Sequence, residues 1–193
     1  LRKILIVEIL WIVSQYLYKY LMEKDLLILN ETEYGVLLGN TLNNFVSQRN
    51  ISANKVKINR TIFIPSFDDD TLEIRATTNT LQQRYRTCMM FDDVQFLDLP
   101  GRGSVTIVGS DSRQYYLNKI PLNQVDVKVK CSCLDFYWRF SSFNHKDDSL
   151  IGDPPPPYVK RSNRPPVNPA KVPGVCKHVI KLTTQLMTQK LFK

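Results

Sequence analysis

The chain has 193 residues, of which 43% are apolar and 23% charged, a composition that excludes wholesale disorder and suffices for one sizeable core. Its formal charge is +8, and residues 131–193 hold ten basic side chains against four acidic ones, so most of the excess lies in the last third. A basic segment of this kind suits nucleic acid, an anionic surface or an acidic protein, or is simply a solvated tail.

Residues 1–53 read as a helical part. Ile4 to Val13 is an apolar run, followed by Tyr16, Leu17, Tyr18, Tyr20 and Leu21. Glu8 interrupts it, and Ser14, Gln15 and Lys19 follow, so the roughly 20 consecutive apolar residues of a membrane span are missing. No small-residue cleavage site follows, which argues against a signal peptide. A helix apolar on nearly all sides is expected to be buried against neighbours, including other subunits. The chain starts at Leu1, which fits a processed start or a piece of a longer sequence. Asn30 or Thr32 is placed to cap a second helix, with Tyr34, Leu38, Leu42, Phe45 and Val46 near one face. Gly35 and Gly39 weaken that helix.

Residues 54–130 change to a period of two. Val56, Ile58, Ile62 and Ile64 alternate with Lys57, Asn59 and Phe63, and Leu72, Ile74 and Ala76 alternate with Glu73, Arg75 and Thr77. Further strands are expected at 82–91, 94–98, 104–108, 114–118 and 124–131, separated by turn signals such as Asp68-Asp69-Asp70 and Pro100-Gly101-Arg102-Gly103. The acidic triplet reads as a solvated turn. Cys88, in Thr87-Cys88-Met89-Met90-Phe91, reads as a small core residue. The last strand puts Val125, Val127 and Val129 on one face, and Cys131 and Cys133 continue that face. Leu134 to Phe143 is an aromatic helix or wide turn roofing the sulfurs.

Residues 131–193 form the third part. Cys131-x-Cys133 and Cys176-x-His178 supply three thiolates and an imidazole, the donor set of a closed tetrahedral Zn2+ site. Paired spacing of this kind explains the cysteines better than disulfides do, and implies a reduced, intracellular assembly environment. His145 is a rival fourth ligand. With four protein ligands the zinc is structural, since no position is left for water or substrate. Between the pairs, residues 144–173 hold eight of the chain's eleven prolines. This stretch reads as a stiff polyproline-like arm able to clasp a neighbour. Pro154, Pro155, Pro156, Pro157, Tyr158, Arg161 and Arg164 are its candidate partner-binding residues. Gly174 leads into a final helix that starts with Cys176 and His178 in its first turn.

Enzymatic activity is not expected. Gly101-Arg102-Gly103-Ser104 lacks the lysine of a phosphate-binding loop, and a Ser or Cys nucleophile would have only His145 as base. Lys160, Arg161, Arg164, Lys171, Lys177 and Lys181, interleaved with Tyr158 and the aromatics at 136–143, have a composition suited either to nucleic acid or to a protein partner.

The Cys131-x-Cys133…Cys176-x-His178 pattern resembles the SWIM-type zinc finger over residues 125–190. The resemblance implies a first pair on a β-hairpin, a second pair opening a helix, and a role in nucleic-acid or protein binding. The 42 residues between Cys133 and Cys176 exceed the family's usual spacing. The run from Cys131 through Asp135-Phe136, Trp138-Arg139-Phe140, Pro154–Tyr158, Arg164-Pro-Pro166 and Pro173-Gly174 to His178 is similar to structural proteins of large tailed bacteriophages. That similarity implies a virion component, made in the host cytoplasm, that contacts other virion proteins or copies of itself. The expectation is thus an α+β protein with N-terminal helices, a central antiparallel β domain and a zinc-stapled module with a proline-rich arm. Its expected work is that of a non-enzymatic virion subunit, with a SWIM-type nucleic-acid-binding protein as the alternative.

Overall fold

A computed structural model describes residues 33–45, 53, 55–80, 83–122, 125–156, 163 and 165–193. The expected helix at 1–24 and Val46 lie outside the described residues.

Alternation in the middle of the chain builds two antiparallel sheets. Strands β1 (Lys57–Ser66), β2 (Thr71–Asn79), β3 (Arg84–Phe91) and β7 (Val127–Cys131) form one, in the order β1-β2-β3-β7. Strands β4 (Phe96–Leu97), β5 (Val105–Val108) and β6 (Gln114–Leu117) form the other, in the order β4-β6-β5. Each lies within or beside a strand expected from the sequence. The Asp68–Asp70 triplet makes the exposed β1–β2 turn, with Asp70 at a φ of 49°, a conformation aspartate tolerates.

Period two gives the larger sheet one inner face. Ile74, Met89 and Val129 stand side by side across it, as do Leu72, Phe91 and Val127, and all six are buried. Strand β1 departs from simple alternation. Its pairing shifts between Ile58 and Arg60, leaving Asn59 as an extra residue. That bulge moves Phe63 to the inner face, paired with Ile74, and puts Ile62 and Ile64 beside Arg75 and Glu73 on the outer one. Cys88 is also corrected. Thr87, Met89 and Phe91 point inward, so Cys88 faces outward and is only half-buried.

Five-residue β7 continues into α2 (Leu134–Arg139) and α3 (Ser141–Lys146). Helix α1 (Glu33–Asn44) and the long α4 (Lys177–Thr188) complete the described elements. Tyr34, Leu37, Leu38 and Thr41 form the buried side of α1, and Phe45, just past it, meets Phe140 edge-on at 5.4 Å. Gly35 and Gly39 are buried as well. Helix α4 lies along the inner face of the sheet in the direction of β3. His178 packs on Tyr85 at 4.5 Å, Thr183 donates to Met89 Sδ at 3.4 Å, and Phe192 beyond the helix meets Phe91 at 5.5 Å. Phe192 also bridges to Ile120, tying the C-terminus to the chain between the sheets.

The stretch between the cysteine pairs is only partly an arm. After α3, Ser149–Ile151 lies beside β7: Val129 N donates to Ser149 O at 2.9 Å and Ile151 N to Val129 O at 3.3 Å. The returning limb is also held. Asn168 Nδ2 donates to the carbonyls of Arg139 and Val172, each at 2.8 Å, and Arg139 Nη1 donates to Val167 O. Pro154 and Pro156 are exposed and Pro155 is half-buried. Pro157, Tyr158, Arg161 and Arg164 lie outside the described residues. No described helix is long and apolar enough to cross a membrane.

Candidate metal centre

Three elements bring the site together. Cys131 is the last residue of β7, opposite Thr87, and its side chain continues the buried row of Val127 and Val129. Cys133 is the N-cap of α2, in extended conformation, with its sulfur accepting from Phe136 N at 3.3 Å. Cys176 is the N-cap of α4, and His178 sits in that helix's first turn. All four are buried, and one ligand atom from each lies within 4.8 Å of every other. The site therefore sits where the last strand of the sheet meets the starts of two helices, whose positive dipole ends favour thiolates.

The imidazole meets the sulfurs through Nδ1, which is 3.7 Å from Cys131 Sγ and 3.8 Å from Cys176 Sγ. Sulfur and nitrogen bound to one tetrahedral zinc at usual bond lengths are roughly 3.6 Å apart. Ligation through Nδ1 leaves the ring proton on Nε2, which is buried beside the Tyr85 ring without a hydrogen-bond partner among the described residues. Tyr85, Thr87 and Thr78 surround the cluster. The Thr87 hydroxyl lies 3.6 Å from Cys131 Sγ and 3.3 Å from the Thr78 hydroxyl. Strand alternation places Tyr85 and Thr87 on the face of Met89 and Phe91, which is the signal by which they were legible. Nothing local in the sequence linked them to cysteines more than 40 residues away.

The electrostatics of three buried thiols call for a cation. Hydrogen bonds from Cys131 and Cys176, with help from Phe136 N–H, hold the Cys133 thiol far below the ordinary range. The same hydrogen bond with Cys133 then pushes Cys131 up to about 12. Burial first, and then the neighbouring sulfurs, raise Cys176 well above its ordinary value. The three sulfurs thus compete for the anionic form, with Cys133 favoured over Cys131 and Cys176. A divalent cation removes that conflict and makes all three thiolates stable together.

Cys131, Cys133, Cys176 and His178 can therefore hold a metal ion. The cysteines are free of disulfides. His145 is on α3, exposed, and outside the cluster. The segment entering α4 is held by residues that sequence reading did not single out. Asn144, fully buried, donates to Gly174 O at 3.1 Å and accepts from Gly174 N at 2.9 Å. Thr41 Oγ1 accepts from Val175 N at 2.8 Å. No protein-family model, curated protein or solved structure matches the chain.

Proposed function

We propose that the chain is a non-enzymatic structural subunit, stapled by a Zn2+ ion at Cys131, Cys133, Cys176 and His178, that works by packing against neighbouring proteins. The observation that carries this reading is the enclosure of the four donors, each buried and mutually within 4.8 Å. A closed Cys3His set suits zinc better than harder ions and offers no open position for a substrate. The metal then ties sheet to helix, and the intervening chain carries the contact surface. Leu134, Trp138 and Val167 are 70%, 48% and 42% exposed around the base of the proline-rich stretch, an apolar composition suited to a protein partner. The finer reading, a SWIM-type zinc-finger module in a tailed-phage virion subunit, rests on the resemblance of the Cys-x-Cys…Cys-x-His pattern and of the run from Cys131 to His178 alone.

Two measurements test it. Elemental analysis is expected to find about one zinc per chain, with Cys133→Ser lowering that content; a zinc-free protein of full stability would sink the staple. Light scattering of the chain, alone and with the products of neighbouring genes, is expected to show assembly. A monomer that associates with none of them refutes the subunit reading.

A further inference from the structure

The outer face of the four-stranded sheet lies opposite the face into which Cys131 points, and the bulge in β1 aligns its cations. Three adjacent ladder rows carry two cations each. Ile62, Arg75, Cys88 and Lys130 are side by side in the first. Arg60, Thr77 and Arg86 make the second, which Ser132 extends through paired hydrogen bonds with the Arg86 backbone, both 2.9 Å. Lys57, Asn79 and Arg84 make the third. All six cations are exposed. These rows contain no acid among the described residues. Glu73 stands one row further along and is gripped by Arg75 through two hydrogen bonds of 2.7 Å. In the same row, Lys128 is paired with Asp148 at 3.2 Å. An open hollow of about 480 Å3 is lined by Arg75, Arg86 and Lys130, and also by Glu73, Cys131 and Ile151.

We infer that this face binds the phosphodiester backbone of a nucleic acid, independently of its sequence. Strand geometry sets the argument. Rows are spaced by roughly 7 Å and strands by roughly 5 Å. The cations therefore form two tracks, Lys57–Arg60–Arg75 and Arg84–Arg86–Lys130, about 10 Å apart. A repeating line of phosphates meets such an array at several points, whereas a single small anion reaches only one end of it. The three rows hold no aromatic residue, so they have no platform on which bases stack. Ile62 is the one large apolar side chain in these rows, so they also lack the apolar, aromatic centre of a protein interface. What remains is charge at regular intervals, which reads backbone and not sequence. This surface lies on the opposite face of the sheet from α4, which carries Lys177 and Lys181, and does not depend on the virion assignment.

The test is fluorescence anisotropy of the zinc-loaded chain with labelled single-stranded and duplex oligonucleotides across a salt series. With the five cations other than the Glu73-bound Arg75 engaged, the slope of log affinity against log salt is expected at roughly −3.5 to −4.5. The double variants Arg86→Glu/Lys130→Glu and Arg60→Glu/Arg84→Glu are each expected to weaken binding at least about tenfold and to flatten the slope by about 1.5. Their zinc content and thermal unfolding should match those of the unsubstituted chain, since these side chains are exposed. Three results would overturn the inference: no oligonucleotide binding at low salt; undiminished binding by both variants, with Lys177→Glu/Lys181→Glu losing it instead; or displacement by polyglutamate or inorganic phosphate at equal charge.

Discussion

His178 and His145 show what single residues decide here. Both were open as the fourth donor; only His178 presents a ring nitrogen to the sulfurs. His178→Ala is expected to lower zinc content as Cys133→Ser does, and His145→Ala to leave it unchanged, by elemental analysis of the purified variants. Tyr34 makes a second prediction at this scale. Burial raises its phenol above the ordinary 10.0, with Thr183 hydrogen-bonding it against that shift. A raised folded value means that its contribution to stability is intact below pH 10 and is lost as pH rises further. The loss approaches about 1.4 kcal/mol per pH unit. Urea unfolding at rising alkaline pH should show a steeper decline for the native chain than for Tyr34→Phe. Equal slopes would mean that the phenol ionises without strain in the fold.

At the scale of elements, the junction before α4 holds the design together. A Cβ on Gly174 would lie 2.6 Å from both Phe140 Cε1 and Thr41 Oγ1, so α1, α2 and the α4 entry meet where only glycine fits. Gly174→Ala is expected to cost about 1–3 kcal/mol by overpacking. Asn144→Ala strips both partners from the Gly174 backbone and is expected to cost about 2–4 kcal/mol. Denaturant midpoints measure both; a change under about 0.5 kcal/mol in either would show that the junction relaxes freely. Most elements were legible. The paired spacing of inward residues in β2, β3 and β7 reports their shared face directly. The strand β1 was legible but its facing was not, because one extra residue at Asn59 reverses the face of everything after it, and a bulge leaves no mark in a pattern of mixed apolar residues.

For the whole molecule, a metal ion held by Cys131, Cys133, Cys176 and His178 would tie the sheet to α4 across long chain separations. With zinc about 1,000-fold above its dissociation constant, the linkage is worth about 4 kcal/mol. Chelation is therefore expected to lower Tm by roughly 8–16 °C for a chain of this size. Hydrogen exchange should rise first at residues 131–133 and 176–180 and last in the β1–β2 pair; uniform protection after chelation would refute the staple. The sequence by itself determined the donor types, their spacing and the strand period, because ligand chemistry and side-chain alternation are local properties. Only the tertiary structure decided that Cys88 faces outward, that Asn144 and Thr41 hold the α4 entry, and that cations from four strands meet on one face. Each of these depends on strand register or on contacts between residues distant in the chain, which the packing of the core sets and no local pattern records.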